Sequence, residues 1–305
     1  MAHKRILIVG GTGMLGHKLA QVAAAAGDIE THVTCRQLPA ERFRAAGATY
    51  HSGVELGVEH ARLSATVKDV SPDFVLNAAG AIKHRDLSSD AAGTLFLNGA
   101  LPHALAAMNP NPAGRVIHFS TDCVFTGAKG DYREADQPDA GDLYGLSKAA
   151  GELRYAPHLT IRTSIIGFEL ANHLGLLAWF MRQPQGSTVK GYTRAIFSGL
   201  PTVTLSRLVL ELVRGDTPLT GLYHVASEPI AKVDLLTRIR DAFQLDRTIV
   251  PSSDVAIDRS LDDTRFRDAT GTSRPGWDAL IEEMKQDYQS LPYDVGVTNI
   301  VEAST

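Results

Sequence analysis

Short apolar runs and helix-length amphipathic stretches alternate through the first half of the chain. "RILIVG" is an apolar run of strand length that ends in glycines. "MLGHKLAQVAAAAG" follows it, rich in Ala and Leu and closed by Gly27, the pattern of a helix. The same alternation continues. "THVTC", "ATYHS", "DFVLNAAG", "RVIHFS" and "LTIRTSIIG" read as the second to sixth strands. "PAERFRAAG", "ARLSATVKDV", "AAGTLFLNGALPHALAAM" and "DLYGLSKAAGELRYA" read as the helices between them, with Pro102 a blemish in the third. Strands separated by helices predict an α/β fold, a doubly wound parallel sheet with helices on both faces.

The pattern loosens after Gly167. "LLAWFMRQ", "VTLSRLVLELVRG", "KVDLLTRIRDAF" and "PGWDALIEEMKQDYQSL" predict helices, and "GLYHVAS" a strand. Neither a repeat nor a long linker divides the chain. The expected organisation is a dinucleotide-binding domain over 1–167, a smaller, mainly substrate-binding lobe over 168–290 interleaved with it, and a tail over 291–305.

Composition narrows the function. The chain of 305 residues is 44% apolar and 21% charged, with a formal net charge of -4. That is an ordinary globular composition without the footprint of a nucleic-acid binder. No apolar run reaches membrane-span length. The basic start "MAHKRILIVGG" reads as a first strand, not as a signal peptide. Cys35 and Cys123 have neither disulfide-framework nor zinc-site spacing, and the histidines form no HExxH-type pair. A reduced, cytoplasmic protein without a metal is expected.

The glycine turn "VGGTGMLG" carries the first chemistry. Gly10, Gly13 and Gly16 fall between the first strand and the first helix. They suit a tight turn, close approach of backbone to a phosphate, and close packing of helix on sheet. Thr12, Met14 and Leu15 complete the turn, whose amides face a pyrophosphate. Asn77, Ala78, Ala79 and Gly80, ending the fourth strand, and Ile165, after the sixth, are expected to line the same cofactor. The second strand ends in Cys35 and Arg36, with no acid for a ribose hydroxyl. Arg36 suits a 2′-phosphate, so NADP (as NADPH) is expected ahead of NAD; an exposed surface arginine is the competing reading.

"HFSTDCVFTG" and "YGLSK" carry the second. Tyr144 and Lys148 lie one helical turn apart on one face. A neighbouring ammonium is expected to lower the phenol's pKa and fit it for proton transfer. Thr121 ends the fifth strand, so it and Tyr144 both fall at the carboxyl edge of the sheet, where ligands bind. A simple turn or cap is the other reading of Thr121 and Asp122.

"GGTGMLG", "STDCVFTG", "YGLSKAAGE" and "IRTSIIG", in this order, resemble the extended short-chain dehydrogenase/reductases that act on nucleotide sugars. Within them the chain looks most like the dTDP-4-dehydrorhamnose reductase subfamily, strongly over residues 5–167 and loosely to about 290. The resemblance implies a Rossmann fold and a catalytic triad of Thr121, Tyr144 and Lys148, with Asn98 in support. It implies NADPH-dependent reduction of the 4-keto group of a nucleotide-activated deoxy sugar. Related 4,6-dehydratases use an Asp-Glu pair after the Thr; here Asp122 is followed by Cys123, which disfavours dehydration. Cys123 also departs from the aromatic residue usual in the subfamily. An epimerase with tightly bound NAD, or a non-catalytic NADP-binding regulator, remain as alternatives.

The nucleotide sugar is expected to meet "KGYTRAIFSGLPTVTLSRL", with an ordinary polar loop as the competing reading. There Tyr192 can stack on a base, Lys190 and Arg194 can meet a diphosphate, and Ser198 and Thr202 offer hydroxyls. Lys83, Asp122, Cys123, Arg259 and Arg265 are further candidate substrate contacts. The expected partner is the nucleotide-sugar substrate, with no nucleic acid and no membrane; a homodimer is left open.

Overall fold

Along β1 (Lys4–Val9) successive side chains enter different cores. Ile6 and Ile8 join one apolar cluster and Leu7 and Val9 another, because a strand turns alternate residues to opposite faces. Both faces are therefore covered, as a parallel sheet requires. The protein is described by a computed structural model, which covers residues 4–81, 89–171, 173–215, 219–291 and 293.

The alternation continues through α1 (Met14–Ala26), β2 (Ile29–Thr34), β3 (Thr49–His51), α2 (Ala61–Val70) and β4 (Phe74–Asn77). Next come α3 (Ala91–Leu95), a π-helical turn (Phe96–Ala100), α4 (Leu101–Met108), β5 (Arg115–Thr121), α5 (Leu143–Ala150) and β6 (Leu159–Thr163). The later chain forms β7 (Ile165–Ile166), α6 (Leu176–Met181), β8 (Ser187–Phe197), β9 (Leu200–Pro201), α7 (Thr202–Arg214) and β10 (Gly221–His224). It ends with β11 (Ile230–Ala231), α8 (Lys232–Ala242), β12 (Arg247–Asp258), α9 (Thr264–Thr270) and α10 (Trp277–Ser290).

Seven parallel strands form the main sheet in the order β10-β6-β5-β4-β1-β2-β3. The order reverses between β1 and β4, which creates the crevice where dinucleotides bind in doubly wound folds. Leu15 and Leu19 of α1 and Leu205 and Val209 of α7 fill one face; Leu63 and Val67 of α2 and Leu101 and Leu105 of α4 fill the other. A second, three-stranded sheet, β11-β8-β12, stands at the carboxyl side. Gly127 ties it to the loop after β5, since a side chain there would start 2.5 Å from Ile257 of β12.

Four elements differ from expectation. "PAERFRAAG" forms only a 3-10 turn, Glu41–Phe43. Phe43 and Ala45 are both buried, and Tyr50 accepts the Ala45 amide at 3.0 Å, a spacing that extended chain meets and a helix does not. The helix carrying "YGLSK" stops at Ala150; Gly151 then packs against the Asn98 carbonyl, where a side chain would not fit, and the chain turns inward at Glu152 and Leu153. The sixth strand breaks at Ser164, whose carbonyl accepts the Leu200 amide at 2.9 Å. "KGYTRAIFSGLPTVTLSRL", where no strand was expected, supplies most of β8, then β9 and the start of the expected helix α7, against the competing reading of a polar loop. Beyond α10, Tyr293 packs on His17, Phe43 and Phe168 and is 6% exposed.

Candidate active site

The glycine turn takes the shape a diphosphate needs. Gly10 has φ 86°, and a side chain there would start 2.8 Å from Ala79. A side chain at Gly16 would collide with the Gly10 carbonyl. Gly13 caps α1 without a side-chain hydrogen bond, so the amides of the first turn, Met14 and Leu15 among them, face the opening together with exposed Thr12 and Gly13. These residues fit a dinucleotide diphosphate. Asn77 ends β4 beside this turn, and Ala78 follows it; the Ala78 amide donates to the Val9 carbonyl at 3.0 Å. Ile165 forms β7 across from Leu200.

Asn98 organises the opposite wall. Its Oδ1 accepts the Ala81 amide at 2.9 Å, and its Nδ2 donates to the Ala81 carbonyl at 3.3 Å and to Ser147 Oγ at 3.1 Å. It thereby ties the loop after β4 to α5. The π-turn allows this, since one wider turn aims a single side chain off the helix register. Asn77 donates to His118 Nδ1 at 3.1 Å behind the same wall.

Thr121, Tyr144 and Lys148 come together at the carboxyl end of β5. Asp142 caps α5 by accepting the Gly145 amide at 2.8 Å. Gly145 lets the helix start close against the loop after β5: a side chain there would start 2.5 Å from the Cys123 carbonyl. Tyr144, half-buried, then lies beside the Thr121 hydroxyl. Thr121 Oγ1 donates to Asp122 Oδ1 at 3.1 Å and accepts the Cys123 amide at 3.1 Å. Lys148 is buried, its Nζ donating to the Phe119 carbonyl at 2.6 Å, beside Gly80.

The electrostatics differ from the sequence expectation. Burial pushes the Tyr144 phenol above its ordinary range; Coulombic repulsion from Cys123 and Asp122 adds to this, and the neighbouring Thr121 hydroxyl only partly opposes it. Lys148 does not draw the phenol down, because its ammonium is turned to the Phe119 carbonyl. Burial lowers Lys148 itself to about 8, against the pull of Glu152. Asp122 is raised by burial, with Arg259 opposing.

Sequence reasoning missed the support behind the triad. Ser120 Oγ donates to Glu152 Oε1 at 2.9 Å, and Glu152 receives both Arg162 Nε and NH2 at 2.8 Å, with both charged side chains fully buried. Arg162 also reaches His224 Nε2 at 2.9 Å. The signal was present: two opposite charges sit inside otherwise apolar or small-residue runs, "AAGEL" and "LTIRT".

The substrate candidates divide. Arg259 reaches the catalytic loop, its Nε donating to the Phe125 carbonyl at 2.7 Å. Asp122 and half-buried Cys123 lie beside Tyr144. Ser198 is buried and accepts the Leu261 amide at 3.2 Å; Thr202 is buried against Gly167. Both hydroxyls serve the packing. Tyr192 and Arg194 lie on β8 opposite Ser252 and Ala256. Lys190 lies five residues before Ala195, the partner of Ile257, or roughly 16 Å back along the strand. It pairs with Asp254 on the surface. Arg265 lies over Tyr223 in a cavity of about 400 Å³ at the β10 edge of the main sheet, apart from the triad. Lys83 falls outside the described residues. Among the described residues no cluster could hold a metal ion, and no helix is long and apolar enough to cross a membrane.

Similarity to known proteins agrees with this architecture. The chain is 33% identical to dTDP-4-dehydrorhamnose reductase of Burkholderia thailandensis over 52% of its length and 49% of the relative's. It is 27% identical to that of Aggregatibacter actinomycetemcomitans over 74% of each chain. The NADP complex of dTDP-4-dehydrorhamnose reductase from Bacillus anthracis superimposes with a TM-score of 0.76 at 18% identity, over 93% of this chain and 99% of the other. The RmlD substrate binding domain model matches residues 4–289, and the chain belongs to that family.

Proposed function

We propose that the protein is a cytoplasmic, NADPH-dependent reductase of the 4-keto group of a nucleotide-activated deoxy sugar. The observation that carries this reading is the juxtaposition of the Thr121 and Tyr144 hydroxyls, with buried Lys148 near them, on the sheet edge that also bears the uncapped glycine turn. The dTDP-4-dehydrorhamnose reductases among the relatives support the substrate class, and the NADP complex of the structural neighbour supports the cofactor. Neither Cys35 nor Cys123 is in a disulfide, which supports the compartment.

When bound, the reduced nicotinamide supplies a hydride. Tyr144 gives its phenol proton to the carbonyl oxygen, and the Thr121 hydroxyl donates a hydrogen bond to that oxygen as charge develops on it. A phenol raised by burial holds its proton at neutral pH until the substrate arrives in that pocket. Lys148 places a positive charge under the reacting edge, and Asn98 fixes the loop opposite. Asp122, itself raised by burial, is followed by Cys123 and not by a second carboxylate that could remove a proton from the sugar, which favours a reductase over a dehydratase.

The test is purified protein with NADPH and a panel of nucleotide 4-keto-deoxy sugars. Loss of NADPH absorbance with formation of the 4-hydroxy sugar is expected. Sugar inversion without net cofactor consumption would make it an epimerase, and cofactor binding without turnover of any sugar would make it a regulator.

A further inference from the structure

A second charged feature lies at the opposite end of the same sheet edge. Arg36 follows β2, and its carbonyl accepts the Gly53 amide at 2.9 Å. Gly53 follows β3 with φ 71°, a conformation that favours glycine. A side chain at Gly53 would start 3.3 Å from Arg62 Cζ, so the guanidinium of Arg62, from the first turn of α2, lies against the bare face of this glycine. Arg36 and Arg62 thus flank one glycine at the carboxyl ends of β2 and β3. Both are exposed. Neither pairs with a carboxylate among the described residues, although most other arginines do. No acid stands at Cys35, Arg36 or Gly53 to take a ribose hydroxyl or to repel an anion.

We propose that Arg62 is a second cofactor-specificity residue, which grips the 2′-phosphate of NADPH together with Arg36. Two planar guanidinium groups approach one anion from the β2 side and from the α2 side, each offering paired donors. Gly53 belongs to the device through its positive φ, and a side chain there would press on the Arg62 guanidinium at 3.3 Å. Arg44 does not belong to it: its Nε is committed to the Pro39 carbonyl at 2.9 Å.

The inference rests on the NADPH reading above, and calorimetric titration of NADPH and NADH separates the two. Binding is measured for the parent, Arg62→Ala, Arg36→Ala and Arg44→Ala. The parent is expected to prefer NADPH. Arg62→Ala is expected to weaken NADPH about tenfold or more while NADH stays within about twofold, the effect of removing one charge-assisted hydrogen bond. Arg44→Ala is expected to leave the ratio of the two affinities unchanged. A parent that binds both cofactors equally overturns the NADPH reading and this role with it. A parent that prefers NADPH, with the preference intact in Arg62→Ala, overturns the role of Arg62 alone. An equal loss in Arg44→Ala also overturns it, since the effect is then diffuse positive charge.

Discussion

Both faces of the central sheet carry an apolar core, but around β5 and β6 they are held by different kinds of interaction. On β5, Ile117 and Phe119 enter the apolar layer under α1 and α7. Their neighbours His118 and Ser120 point the other way, into a layer that also buries Asn77, Lys148, Glu152 and Arg162. The first face needs volume, and any well-shaped hydrocarbon supplies it. The second needs particular donors and acceptors, because each buried charge is tolerable only with its partners. Burial alone would push the Glu152 carboxyl up; hydrogen bonds and charge from Arg162, then Arg154, overcome this and hold it below the usual range. The triad sits on the face whose support is polar, so its geometry depends on specific side chains.

Substitutions that conserve one property break this comparison most directly. Arg162→Met removes one partner of a fully buried pair and is expected to cost about 3–5 kcal/mol. Arg162→Lys keeps the charge but gives up the two-pronged grip on Glu152, and most of that destabilisation is expected to remain. On the apolar face, Leu205→Met conserves volume at a fully buried position and is expected to cost under about 1.5 kcal/mol. Urea unfolding of the three variants decides it. If Arg162→Lys is as mild as Leu205→Met, the polar face is no more specific than the apolar one.

Tyr144 belongs to the chemistry and not to the support. Tyr144→Phe removes the proton and the hydroxyl while keeping the ring, so kcat is expected to fall at least about 100-fold with the fold and cofactor affinity retained. Steady-state turnover and cofactor titration on one preparation check this. Near-normal turnover would remove Tyr144 from the proposed mechanism.

How far the site was legible in the sequence follows from the same division. The glycine turn, the strand-end Thr121 and the Tyr144–Lys148 pair were readable because local backbone rules fix their spacing. The parallel sheet was readable because each strand carries its own apolar run. Glu152 and Arg162 were passed over, since what gives them meaning is a pairing between the end of α5 and β6 that no local pattern encodes. β8 and β12 were missed for a similar reason. Most of their residues are exposed or half-buried, and their pairing joins segments far apart in the chain. The direction of the Tyr144 shift was misjudged because helical spacing brings two side chains near without saying where the ammonium turns.

The pH dependence sharpens the electrostatic side. Lys148 is protonated below about 8 and loses its charge as pH rises through that value. The phenol, raised by burial, keeps its proton over the same range. The alkaline limb of kcat/KM therefore belongs to Lys148, with a midpoint near 8, and beyond it the rate is expected to fall about tenfold per pH unit. Lys148→Arg, whose guanidinium does not titrate there, should move the limb upward in whatever activity remains. A limb that stays in place in this variant assigns the titration to another group.

The smallest effect is expected where a charged pair has neither burial nor a network. Lys190 and Asp254 lie 2.7 Å apart with side chains 64% and 60% exposed. Water and salt screen such a pair, and holding two long side chains together opposes what attraction is left. The sequence offered Lys190 as a contact for the substrate's diphosphate. Its place on β8, turned to Asp254 and well back from the end of β12 that meets the catalytic loop, argues for a surface role. Lys190→Ala is accordingly expected to leave the urea midpoint and the KM for the nucleotide sugar unchanged, whereas Arg259→Ala, beside Asp122 and the Phe125 carbonyl, should alter KM. Both are read from one set of saturation curves. A raised KM in Lys190→Ala with a normal one in Arg259→Ala would invert the assignment and extend the substrate site along β8.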